Sequence, residues 1–279
     1  MTTEYAHPIA PNIFSLLEKL CDITARELHL IAGTESSIEP AERADVDSFF
    51  EVPGQSIAGL TEEINQAIAL HVCEYLHGLK RLLSAPIVTP GVIAPLAFTS
   101  IKTSSQLKFI NEFEWIDRAV WTLRSINEKS SSPDELNAVK NLPNTLTSAI
   151  RNYEAKAVGG TQAFPDDRTL VCRMLEWDSR SDVFEFLQSY SDELVWSGLK
   201  HRMYLPGHTE FLELSSVDIL LDTLTSANIA AHHLAMSRDR AKVAQSLNIL
   251  KEASGAIREL RTFRSGWLEE WGDRHKRQA

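Results

Sequence analysis

Apolar residues recur along this chain at intervals of three and four, and nowhere do they alternate with polar ones over the length of a strand. That period restricts the chain to helices that each bury one stripe. The sequence therefore predicts an all-α fold, a multi-helix bundle of about eight or nine helices. The clearest stripe lies at about 59–84, where Leu60, Ile64, Ile68, Tyr75, Leu79 and Leu82 share a face and Pro86 stops the helix. A first helix is expected after Pro11, with Ile13, Leu16, Leu17, Leu20, Ile23, Leu28 and Ile31 as its stripe and Gly33 placed to end it. Pro90 and Pro95 flank the start of a third, which carries Ile93, Leu96, Ala97, Ile101, Leu107 and Ile110.

Further helices are expected at about 112–128, 134–157, 166–177, 180–203 and 213–236. Pro133-Asp134 opens the second of these and Gly159-Gly160 closes it. The helix at 213–236 is rich in small residues such as Ala227 and Ala231, a surface that permits close approach of a neighbour. Residues 34–58, acidic and holding Pro40, Pro53 and Gly54, read as a loop, with at most a short helical turn around Asp45, Asp47, Phe49 and Phe50. The last helix, about 239–272, runs Val243, Leu247, Leu250, Ile257, Leu260, Trp267 and Trp271. So long a stripe predicts packing on the body or pairing with a second copy of the chain. No Pro/Gly/Ser-rich linker divides the 279 residues, so a single helical domain, 1–279, is expected, with 239–279 its long C-terminal helix and basic tail.

The formal charge of −10 argues against nonspecific nucleic-acid binding. It is unevenly spread, however. From Arg238 onward ten Lys/Arg face six Asp/Glu, which leaves an acidic remainder against which a basic last helix is expected to pack. Cys21, Cys73 and Cys172 form no CxxC pair, which points away from disulfide scaffolds and zinc spacings and towards a reducing compartment. Met1-Thr2-Thr3-Glu4-Tyr5 lacks the basic-then-apolar pattern of a signal peptide, and no run of about 18 apolar residues occurs. The expected location is cytoplasmic, without a membrane span.

The sharpest local pattern is His71-Val72-Cys73-Glu74-Tyr75-Leu76-His77. Glu74-x-x-His77 has the spacing of helix-bundle di-iron sites, but those need a second copy and two further carboxylates that the sequence does not supply. On the helical wheel His71 falls within the apolar stripe and His77 on the polar side. The reading is therefore one buried, hydrogen-bonded histidine and one solvated one, with no metal and no cofactor expected; His71, Glu74 and His77 are the ligands a metal reading would use. His232-His233, with Asp218 and Asp222 upstream, is read the same way. Asp222 and His233 lie about 16 Å apart along a helix, too far to hold one ion. No Gly-x-Ser-x-Gly elbow, cysteine signature or phosphate-binding glycine loop occurs. The tryptophans, Trp115 and Trp121 among them, sit beside charges and read as the boundary of a helical core.

Ala67-Ile68-Ala69-Leu70-His71-Val72-Cys73-Glu74-Tyr75-Leu76-His77-Gly78-Leu79-Lys80-Arg81-Leu82-Leu83 resembles the second helix of a group of actinobacterial all-helical proteins, and Ser197-Gly198-Leu199-Lys200-His201 resembles their later Ser-x-x-x-His helix. That group is distantly similar to HEPN-like bundles, which include abortive-infection ribonucleases and noncatalytic binding domains. The resemblance covers residues 59–205. Active HEPN ribonucleases carry Arg, four to six residues, then His on one helix. The positions that would serve His201 are Leu194, Val195 and Trp196, and only Arg202 with His208 fits the spacing, across a helix-breaking Pro206-Gly207. The expectation is a noncatalytic helical binding or interaction protein that self-associates, with a HEPN-like ribonuclease using Arg202 and His208 as the alternative and a metal- or small-molecule-binding bundle as the third reading.

Overall fold

The described residues are mostly helical, with no strand among them, and eight helices are delimited: α1 (Ala10–Ala32), α2 (Pro40–Phe50), α3 (Ile57–Leu83), α4 (Pro90–Asn111), α5 (Trp115–Lys129), α6 (Asp167–Met174), α7 (His208–Ala235) and α8 (Arg240–Lys276), with further helical residues at 144, 148–149 and 151–153. The computed structural model describes residues 10–84, 90–129, 144, 148–149, 151–153, 164–175 and 208–276, and of residues 10–12, 90–92, 127–129, 208–215 and 267–276 the backbone alone. The expected helix at 180–203 lies outside them, as does most of 134–157. No helix among the described residues is long and apolar enough to cross a membrane.

Segment 34–58 is a correction, because it contains a full helix. Pro40 occupies the first turn of α2, where a missing amide costs nothing, and Glu51 closes it in the left-handed conformation at φ 51°. Val46 and Phe50, four residues apart, are both fully buried and hold it down. A tight link then leads to α3, whose N-cap Ser56 accepts from the Gly59 amide at 3.0 Å while Asp47 accepts from Ala58 at 3.0 Å. Asp166 caps α6 in the same way, accepting from the Thr169 amide at 2.7 Å.

Helix α7 runs through the middle, packed on α4, α1 and α8, while α1 and α4 also pack on α3. Its burial on nearly every side, from Val217 to Ala235, explains why its apolar residues form no single stripe. Along α4 and α7, hydroxyls bond back into their own helices: Thr99 to Pro95 O, Ser105 to Ile101 O, Thr223 to Ile219 O and Ser226 to Asp222 O, all at 2.7–2.8 Å. The main core joins Leu17, Leu28, Leu76, Ile101, Leu224 and Leu250, and a second core gathers Val46, Phe50, Ile57, Trp115 and Leu123 under α2 and α5. Trp121 closes a third, against Phe109, Phe113 and Phe164.

Helix α8 does pack on the body. Val243, Leu250 and Ile257 are buried in the main core, with Leu247 and Leu260 against it, so the chain's own fold covers the stripe that far. Its cations meet acids of the body: Lys242 pairs with Glu35 at 2.5 Å, Arg261 with Asp222 at 2.5 Å, and Arg264 with Asp218. Next to the first pair the α1–α2 link and the α7–α8 turn are clasped by backbone bonds, Ser37 N to Ser237 O at 3.0 Å and Asp239 N to Glu35 O at 3.2 Å.

Beneath this clasp lies a buried polar hub. Asn111, at the end of α4, donates to Asn65 Oδ1 at 3.4 Å and accepts from the Ser237 hydroxyl at 3.5 Å. Arg118, stacked 4.5 Å from the Trp115 ring centroid, donates to Phe113 O at 2.9 Å and to Asn111 O at 3.5 Å, which serves carbonyls left open where α4 ends. Burial pulls its guanidinium down to about 10; Glu114 opposes this and neighbouring Arg238 adds to it. Nε and Nη1 of Arg118 and Nε of Arg238 are buried without an acceptor.

Candidate functional site

On the side of α7 that faces α8, Thr225, Asn228, Ile229, His232, Ala235 and Met236 follow one another three, one, three, three and one residues apart, a single helical stripe. This stripe forms one wall of two adjoining hollows, of about 250 Å³ and about 440 Å³, that share His232. Along the α7 axis they extend for roughly 16 Å. The opposite wall is α8: Ser254, Ile257, Arg258 and Arg261 at one end, Arg240, Ala244 and Leu247 at the other. Together they make a groove.

Its most informative residue is Asn228. The side chain is only 2% exposed, lines the smaller hollow, and has no hydrogen-bond partner for either its amide nitrogen or its oxygen. An unpaired buried polar group costs roughly 1–3 kcal/mol, so the wall of the groove holds a donor and an acceptor, both closed off from solvent, that gain partners only if the wall shifts towards the hollow. Burial lowers the His232 imidazole below its ordinary range, which leaves it neutral, with one ring nitrogen to donate and one to accept. Arg261 is fixed from behind by Asp222 at 2.5 Å and by the Thr225 hydroxyl at 3.0 Å. Arg258 is exposed and forms no ion pair among the described residues.

The acids behind this wall are desolvated. Burial raises Asp222, with Arg261 opposing it, and raises Asp218 to about 6, with Arg264 opposing it. Asp218 ordinarily titrates at 3.8, so between that pH and about 6 the folded chain holds its proton more tightly than the unfolded one. Its contribution to stability therefore falls as pH rises through this window and is constant above it. His232 and His233, both lowered chiefly by burial, act in the opposite sense below their ordinary value of 6.5. Asp218→Asn removes the falling component. The melting temperature of this variant minus that of the parent is expected to grow from pH 4 to 6 and then level off, and a constant difference would contradict the assignment.

The structure redraws the pattern around His71. The buried face of α3 is Thr61, Asn65, Ala69, Val72, Leu76, Leu79 and Leu83, roughly 80° around the helix from the stripe of large residues. His71 is therefore exposed, not buried, with 61% of its side chain accessible and Nδ1 3.0 Å from Glu74 Oε2. His77, one and a half turns on, is exposed as expected. His71 and Glu74 meet as a surface pair, and among the described residues no three His, Cys, Asp or Glu side chains converge as a metal would need. Cys21 and Cys73 are pushed up to about 12 by burial, which keeps both thiols protonated. Asp222 faces α8, whereas His233 lies towards Lys108 of α4 and Glu112 just beyond its end. His208 begins α7, its side chain outside the described residues, as is Arg202 altogether.

Sequence reasoning passed over Asn228, Arg258 and Arg261. The signal for the first was an asparagine within the run Thr223–Ala231, otherwise built of Leu, Ile, Ala, Ser and Thr. For the arginines it was a three-residue spacing within the basic last helix, which places both on one face. No protein family, curated protein or solved structure matches the chain.

Proposed function

We propose that this chain is a noncatalytic helical binding protein whose ligand site is the α7–α8 groove. The observation that carries the reading is Asn228, an amide held at the base of an open hollow with both polar atoms unpartnered. An apolar residue there would be more stable, and among the described residues Asn228 is the one lining the groove whose side chain is buried with no partner. The groove is built on two packed helices rather than on loops, which holds its donors in place before a ligand arrives. At about 250 Å³ the hollow around Asn228 is smaller than the roughly 300–1,000 Å³ of sites for drug-sized molecules, which points to a small ligand or to one polar end of a longer one.

Thermal unfolding of the parent and of Asn228→Leu, screened against small polar fragments, tests this. The variant is expected to melt higher than the parent, because it trades an unpaired amide for packing worth about 1 kcal/mol or more. Fragments that stabilise the parent should leave the variant unmoved. A screen with no hits on the parent, or with hits shared equally by both, would overturn the reading.

A further inference from the structure

The groove reverses the charge of the molecule that contains it. The chain carries 38 acidic and 28 basic residues, yet none of the residues lining either hollow is acidic, and three of them, Arg240, Arg258 and Arg261, are arginines. Arg258 and Arg240 stand near opposite ends, each exposed and without an ion pair among the described residues. Asp222 neutralises Arg261 from behind, so the charge left facing the groove comes from the other two. Between them Ile229, Ile257, Ala244 and Leu247 supply apolar wall, interrupted by His232, Asn248 and Ser254. Met236, at the Arg240 end, has 68% of its surface in water.

Resting on the groove as the binding site, we propose that its ligand is a small organic carboxylate with an apolar body. The carboxylate sits at the Arg258 end. Its two oxygens accept from the Arg258 guanidinium, whose planar fork suits a carboxylate better than a neutral group, against the wall that Asn228 helps to form. The body then lies along Ile229 and Leu247 past the neutral His232, towards Met236, a flexible thioether that adapts to differing shapes. A cationic ligand would face two arginines with no carboxylate to receive it. A neutral ligand would leave the charge of Arg258 uncompensated.

Three probes of one shape separate these cases: hexanoate, hexanamide and hexylammonium, followed by ligand-observed NMR titration against the full chain. Hexanoate is expected to bind most tightly, hexanamide more weakly, and hexylammonium not at all. Arg258→Gln, on the exposed side of α8, should weaken hexanoate about tenfold and leave hexanamide unchanged, because only the charge-assisted bond is lost. Asn228→Leu should abolish both. If hexanamide binds as tightly as hexanoate, or hexanoate ignores Arg258→Gln, the carboxylate assignment fails while the groove stands, provided that Asn228→Leu still removes binding. If no probe binds, or binding is indifferent to Asn228→Leu, the groove fails as well. Circular dichroism of each variant confirms that it folds.

Discussion

Leu76→Ala is expected to lower unfolding free energy by about 2–5 kcal/mol, whereas His71→Ala, five residues earlier on the same helix, should change it by no more than about 0.5 kcal/mol. Leu76 is fully buried in the main core where α3 meets α1 and α4, and truncation leaves a cavity that packed helices cannot close. His71 gives up only a surface contact with Glu74, in which both side chains are mostly in water. Urea denaturation of the two variants beside the parent measures both changes. Comparable losses would mean that α3 is rotated from the orientation described here.

The second large effect concerns two buried arginines with opposite expected signs. Arg118→Met should destabilise by roughly 1.5–3 kcal/mol, because Phe113 O and Asn111 O lose a charged donor at the open end of α4. Arg238→Met should stabilise, by about 1–4 kcal/mol. Burial lowers the Arg238 guanidinium, its Nε has no acceptor, and Glu62 is the carboxylate that opposes the shift without pairing to it. Glu62 is instead held by Arg43 at 2.8 Å. A methionine of similar length fills the space without the charge and relieves Arg118 of a like neighbour. The backbone bonds that clasp Ser37 to Ser237 are untouched by either change. Equal losses of stability in the two variants would show that Arg238 is paired after all.

The fold class and most helices were legible because period is a property of the backbone, and seven of the eight described helices fall where the apolar spacing puts them. Segment 34–58 was misread through its prolines. Pro40 stands at a helix start, where it is favoured, and Pro53-Gly54 follows the end, where it belongs. The face of α3 was misread for a different reason. Counting large apolar residues finds the buried side only when one neighbour covers the helix. Here α3 meets both α1 and α4, small residues such as Ala69 and Cys73 lie buried in the shared core, and Ile64 and Tyr75 are left at the margins. The groove was less legible still. Asn228, Arg258 and Arg261 come together only through the packing of α7 on α8, and no local spacing encodes that contact. What the sequence does carry is the basic last helix against an acidic remainder, and Arg261–Asp222 and Arg264–Asp218 realise that expectation.

The packing of α1 also bears on how the chain is made. One face of α1 meets α3, which follows it closely, but another meets α7 and α8, at the far end of the sequence. At roughly 5–20 residues per second of synthesis, α3 emerges within seconds of α1, while α7 arrives on the order of ten seconds later. Until then, the part of α1 that will meet them has no partner from its own chain. An α1–α3 pair formed during synthesis would therefore keep an open apolar flank, and the clasp of the α1–α2 link to the α7–α8 turn can close only after Asp239 has been translated.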